Sequence, residues 1–146
     1  MKNIDIMFSS KEHNWSTPQD FFDELDNEFH FDIDVCADKY NTKCKQYYDE
    51  TDDGLLQNWE GKTCFCNPPY GRAIKDWVKK AYYEGSKPNT VVVMLIPART
   101  DTKYFHEYIY HKAEVRFIKG RLKFGDSKNA APFPSMVVIF RGPEES

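Results

Sequence analysis

The 146-residue sequence has no apolar run near the roughly 20 residues that a membrane span needs. Its longest is Val91–Pro97. The opening segment, MKNIDIMFSS, lacks the apolar stretch of a secretory signal. These two absences predict a soluble chain with no membrane partner, working in the cytoplasm. Four cysteines occur, Cys36, Cys44, Cys64 and Cys66, but their spacing contains neither paired CxxC knuckles nor CxxC…HxxxH. No metal ligands are therefore assigned, and without a secretory signal no disulfide framework is expected. The thiols are expected to pack as small apolar side chains. No glycine occurs between Met1 and Asp53, so a Gly-rich turn is excluded from that stretch. Internal repeats, low-complexity tracts and linkers are also absent.

What is present fits one domain over residues 1–146, with 1–14 a polar, frayed lead-in. Apolar residues make up 40% of the chain, enough for a core and too many for a disordered segment. The net charge of −3 hides an asymmetry. Residues 1–60 hold 5 Lys/Arg against 15 Asp/Glu, whereas residues 61–146 hold 15 against 8. One basic face is compatible with that total, because the field near a groove matters more than the sum.

Element signals alternate along the chain. Ser16-Thr17-Pro18 predicts a helix start, with Thr17 as N-cap, Pro18 first in the helix and Asp20 reaching back to the cap. Phe21, Phe22, Leu25 and Phe29 supply its apolar face. Phe31–Val35 alternates like a strand, and 36–60 reads as a long polar loop with room for one short helix. Thr63–Cys66 is a short strand. Ile74, Trp77, Val78 and Ala81 predict a helix closed by Gly85, and Thr90–Ile96 a strand buried on both faces. A third helix is expected over 101–110, with Tyr104, Phe105, Tyr108 and Ile109 inward. Strands follow at Glu114–Ile118, Leu122–Phe124 and Ser135–Phe140. This order predicts an α/β domain with a mostly parallel central sheet and antiparallel C-terminal strands.

The chemistry sits at Asn67-Pro68-Pro69-Tyr70, directly after a strand and before a helix. In open α/β sheets ligands bind beyond the carboxyl ends of strands. Two prolines also make a rigid turn with no catalytic purpose, so the placement carries the argument. The exocyclic amino group of adenine is a poor nucleophile because its lone pair is delocalised into the ring. The Asn67 side-chain oxygen and the Pro68 carbonyl can accept its two N–H bonds and draw the nitrogen toward tetrahedral geometry. The prolines hold those acceptors still. Tyr70 is expected to stack on a planar base with its hydroxyl in water. Rate would come from positioning and fixed dipoles rather than from a strong base.

NPPY is the catalytic motif of S-adenosylmethionine-dependent amino-methyltransferases, and the wider pattern resembles the phage-encoded DNA adenine-N6 methyltransferases. The resemblance rests on WSTPQDFFDELDNEF, FDIDVCADKYNTKC, DGLLQNW, FCNPPYGR, PARTDTKYFHEY, GRLKF and APFPSMVVIF, in order over about residues 15–141. It implies an abbreviated Rossmann-like methyltransferase fold, with Asn67, Pro68, Pro69 and Tyr70 catalytic and S-adenosylmethionine as cofactor. Thr17 and Pro18 resemble the segment lining the cofactor pocket. Asp34, Cys36 and Ala37, in DVCAD, resemble the loop that holds the methionine end. A carboxylate there suits an ammonium group, and Asp53 is the candidate for the adenosine end. The Gly-rich D/E-x-x-x-G-x-G turn of many such enzymes is missing, so the cofactor contacts must use a differently shaped loop.

The resemblance also implies that Gly120–Phe124 and Ala131–Phe133 close over a flipped base, with Phe124 or Phe133 opposite Tyr70. Arg99 is favoured for the substrate, and Arg121 and Lys123 for phosphates, in a stretch that also holds Lys103, Lys112, Arg116, Lys119 and Lys128. The expected partner is double-stranded DNA, with no obligate protein partner evident. A chain this short leaves no room for a separate target-recognition domain, which predicts a short or relaxed recognition sequence. Three alternatives remain. NPPY also serves glutamine-amide methylation in proteins, the fold can persist as a non-catalytic DNA-binding module, and the cysteines with His residues can make a zinc-stabilised interaction domain.

Overall fold

The computed structural model describes residues 15–125 and 128–146; the expected lead-in at 1–14 lies outside them. Helix α1 spans Gln19–Phe29 and leads into a short strand β1, Ile33–Asp34. A long loop containing one 3-10 turn, Gly54–Leu56, returns to strand β2, Thr63–Cys66. Helix α2, Ile74–Gly85, and strand β3, Val91–Pro97, follow. A single π-helical turn at Phe105–Ile109 precedes strands β4, Glu114–Phe117, and β5, Ser135–Arg141.

The five strands form one sheet in the order β1-β2-β3-β5-β4. β1, β2 and β3 pair in parallel, and β5 runs antiparallel to both β3 and β4. Four strands therefore share one direction and β5 alone opposes them, as an α/β chain with a hairpin-like end should. The parallel register aligns Cys66 with Met94 and Asp34 with Phe65. As a result the carboxyl ends of β1, β2 and β3 open at one edge of the molecule.

β3 reads TVVVMLI because both of its faces are covered. Val92, Met94 and Ile96 point into a core with Trp59, Trp77, Val78 and Phe105. Val93 and Leu95 point into a second core with Phe22, Leu25, Phe65, Phe124 and Phe133. On that second side Arg116 of β4 grips Glu28 of α1 through two 2.7 Å bonds. Arg116 also pairs with Glu114, so this cation clasps α1 to the edge of the sheet.

Four expectations need correction. First, α1 starts one residue later than Pro18, and no side chain caps it. Thr17 is not the N-cap because its hydroxyl serves another residue, described below. Second, only Ile33 and Asp34 form β1, and Ile33, Asp34 and Val35 are all buried. The loop folds back so that Asp34 and Tyr47 bridge, which covers the edge of β1. Third, Leu122–Phe124 is not a strand. Its two apolar residues anchor a loop into the second core, and that anchoring produced the alternation. Fourth, the helix expected at 101–110 is confined to a short stretch whose main part is the π turn.

All four cysteines are free thiols, with Cys64 and Cys66 buried and Cys36 and Cys44 half-buried. Among the described residues no group of three or more His, Cys, Asp or Glu is arranged to hold a metal. No described helix is long and apolar enough to cross a membrane.

Candidate active site

Asn67 follows Cys66 at the carboxyl end of β2. Pro68 and Pro69 prevent continued pairing, and Gly71 turns the chain into α2 at φ +109°, a conformation that L side chains rarely adopt. Pro68 is buried and Pro69 exposed. The Asn67 amide nitrogen donates to the Trp15 carbonyl and to the Thr17 hydroxyl oxygen, the latter at 3.0 Å. Its oxygen accepts from the Tyr70 hydroxyl at 2.8 Å. Since a carbonyl only accepts, the Trp15 contact fixes which end of the amide is nitrogen.

Tyr70 departs from expectation in one respect. Its hydroxyl is not in water, because it is shared between Asn67 Oδ1 and the Leu95 carbonyl at 3.2 Å. Burial pushes the phenol well above its ordinary range, so it stays protonated at neutral pH. Phe124 and Phe133 both meet the Tyr70 ring edge-on, at 6.2 and 5.7 Å between centroids. Neither lies parallel to it across an open slot. Trp15 completes the cluster, edge-on to both Phe rings.

Beside Tyr70 opens a cavity of about 470 Å³, walled by Trp15, Tyr70, Pro97, Arg99, Tyr104 and Phe133 among others. Its wall separates the two phenylalanines: Phe133 faces the cavity, and Phe124 is core. Arg99 is exposed at the end of β3 and belongs to the same lining. Arg121 and Lys123 are exposed on the neighbouring loop and stand outside that wall. Neither forms an ion pair with any described residue.

At the end of β1 the DVCAD segment packs against the DGL segment. Asp34 is 3% exposed and accepts backbone N–H groups from Cys36 and Lys43, at 3.4 and 3.1 Å. Burial pushes its carboxyl up to about 7, against those two N–H groups, which hold it down. Cys36 is driven up to about 12 by burial and by the nearby Asp34 and Asp53. Asp53 adopts φ +55°, and its Oδ1 caps the 3-10 turn at Leu55. Gly54 brings the two segments together: a Cβ there would lie 2.1 Å from the Val35 carbonyl. Trp59 then holds the turn, donating from its indole to the Gly54 carbonyl at 2.9 Å and from its backbone to buried Glu84 at 2.7 Å.

These residues test the cofactor expectation on the structure's own terms. A cationic, hydroxyl-bearing ligand needs carboxylates, and Asp34 stands at the end of β1 with Asp53 at the 3-10 turn packed against it. Asp53 is partly exposed, and its second oxygen has no partner among the described residues. Cys36 and Ala37 are half-exposed beside them, and Pro18 is half-exposed next to Thr17. The set fits.

Sequence reasoning missed Trp15, Gly54 and Tyr104 as site residues. Gly54 acts through its backbone, and Trp15 holds Asn67 through its backbone carbonyl while its ring joins the cavity wall, neither of which local sequence rules reveal. Tyr104 carried a helical-core signal, and that signal does not reveal an edge facing a cavity.

Comparison with known proteins bears on the whole arrangement. The family described as DNA N-6-adenine-methyltransferase (Dam) matches residues 7–145. A DNA N-6-adenine-methyltransferase of Haemophilus phage HP1 (strain HP1c1) is 31% identical over 134 residues, covering 86% of this chain and 77% of that protein. A DNA N-6-adenine-methyltransferase of Escherichia phage T1 is 33% identical over 111 residues, covering 74% of this chain and 45% of that protein.

Proposed function

Since the chain belongs to the DNA N-6-adenine-methyltransferase (Dam) family, we propose that it methylates adenine N6 in double-stranded DNA on a base turned out of the duplex. The observation that carries the mechanism is the orientation of Asn67. Its nitrogen is consumed by Trp15 and Thr17, so its oxygen is the end left to meet a substrate amino group. S-adenosylmethionine, when bound, supplies a methyl group on a positively charged sulfur that departs as a neutral thioether. Asp34, Cys36, Ala37 and Asp53, with Pro18 across the strand ends, would hold it.

The chain's residues do the rest by position. Asn67 Oδ1 and the Pro68 carbonyl accept the two N–H bonds of the amino group and orient its lone pair. Tyr70 offers its ring and a protonated hydroxyl, so it steers hydrogen bonds and is no base. Phe133, Trp15 and Tyr104 give the extruded base an apolar wall, which offsets the few kcal/mol of unstacking. Arg99 sits where a phosphate or base edge would pass. Arg121 and Lys123 add charge for the backbone. Such an enzyme works where DNA is, in the cytoplasm of the host cell.

The test is incubation with labelled S-adenosylmethionine and unmethylated duplex DNA, followed by nucleoside analysis. N6-methyladenine in the digest is expected. Label in protein, with none in DNA, would point to amide methylation instead. No label in either would leave a DNA-binding module without catalysis.

A further inference from the structure

We infer that Thr17 is a positioning residue for the catalytic amide rather than a residue that acts through the cofactor. The inference rests on the reading of Asn67 given above. A terminal amide is nearly symmetric in shape, and a half-turn about its last side-chain torsion exchanges oxygen for nitrogen. For this chemistry the exchange is ruinous, because it sets an NH2 group against the substrate's NH2 group, donor facing donor. Something must therefore hold the oxygen outward. Trp15 and Thr17 do so together: the Trp15 carbonyl takes one amide hydrogen and the Thr17 hydroxyl takes the second. With both hydrogens bound, the nitrogen has nothing left to donate toward a substrate.

Several observations make this a built arrangement. Thr17 is 3% exposed, so its hydroxyl oxygen is not a casual solvent contact. Its side chain does not cap α1, which its sequence position would favour. The segment it belongs to is pinned from the other side too, since the Gly125 backbone N–H donates to the Ser16 carbonyl at 2.8 Å. The Trp15 ring is wedged against Phe124 and Phe133. Residues 15–17 thus form a brace between the NPPY turn and the loop ending at Gly125. The amide oxygen is steadied by Tyr70, which has a second acceptor available in the Leu95 carbonyl. Tyr70 can turn its proton there when a substrate claims Oδ1, whereas the nitrogen end stays fixed.

Threonine to valine keeps the shape and removes the acceptor, and threonine to serine keeps the hydroxyl and removes a methyl. The expected result for Thr17→Val is a fall in kcat of roughly tenfold to a hundredfold, the scale of a slightly misplaced reacting group. KM for cofactor and for DNA should stay within about threefold. Thr17→Ser should restore most of kcat. A loss confined to the cofactor KM would overturn the inference in favour of pocket lining. Equal losses in the Val and Ser variants would overturn it in favour of packing. An independent readout is proton exchange of the Asn67 carboxamide by NMR, with its signal identified by its absence in Asn67→Ala. Exchange should be slow in the wild type and in Thr17→Ser, and faster in Thr17→Val; unchanged exchange in Thr17→Val would contradict the brace. If Asn67→Ala itself methylates normally, the reading of Asn67 fails. If Asn67→Ala is inactive and Thr17→Val is not, only the brace fails.

Discussion

Asp34 couples stability to pH and, in the proposed cofactor site, pH to ligand. Its carboxyl, raised by burial to about 7, is protonated in the folded chain over a range where the unfolded chain has already ionised. The folded state then binds more protons than the unfolded one, so stability falls as pH rises from about 4 to about 7 and levels off above that. Urea unfolding from pH 4 to pH 8 should show this decline in the wild type and a flatter profile in Asp34→Asn. The same ionisation favours a cationic ligand. Cofactor affinity measured by calorimetry should rise with pH through about 7 and lose that dependence in Asp34→Asn. A wild-type affinity that is flat with pH would remove Asp34 from the cofactor site.

The sequence already showed the acid at this position. It did not show that both carboxylate oxygens are occupied by the chain's own N–H groups, because those donors come from a loop whose path is set by tertiary contacts. Thr17 teaches the same lesson. By local rules it caps a helix, but a partner fifty positions away competes for its hydroxyl and wins.

At the scale of elements, the proposed cofactor end depends on how the 53–59 segment is held against β1 and α2. Gly54→Ala would drive a methyl group into the Val35 carbonyl. We expect a loss of about 1–3 kcal/mol in stability, together with weaker cofactor binding as Asp53 is displaced. Thermal melting and calorimetry check the two parts. Trp59→Phe keeps an aromatic in the core but leaves the Gly54 carbonyl without its indole donor, costing about 1–3 kcal/mol. β2, α2, β3 and β5 were legible because hydrophobic period and turn residues agree in each of them. The π turn at Phe105–Ile109 mimics a longer helix in the sequence, since its inward aromatics follow nearly the same spacing. The loop at 122–124 carries a strand-like pattern, since two anchors separated by one residue mimic a pleat.

For the whole molecule the question is where the charge goes. Arg116 and Arg141 are spent on Glu28 and Glu114 at the β4–β5 edge. Lys80 and Lys87 are spent on Glu84. Arg99, Lys103, Lys119, Arg121, Lys123 and Lys128 form no ion pair among the described residues, and they lie between the end of β3 and the start of β5. They are among the cations available to phosphates, so DNA binding should weaken linearly in log affinity with log salt. Arg121→Ala or Lys123→Ala should each reduce that slope by about 1 if its side chain meets a phosphate, and Arg116→Ala should leave it unchanged. The segregation of acidic and basic halves was visible in the sequence, but which cations are free required the structure.

The central claim is that the Asn67 carboxamide oxygen receives the substrate amino group. The most direct measurement is the methylation rate of Asn67→Ala on duplex DNA, with cofactor binding followed in parallel by calorimetry. The account predicts at least a hundredfold loss of N6-methyladenine formation, the scale of removing one preorganised polar group from a reacting centre, with cofactor affinity preserved. Methylation at the wild-type rate in that variant would contradict it.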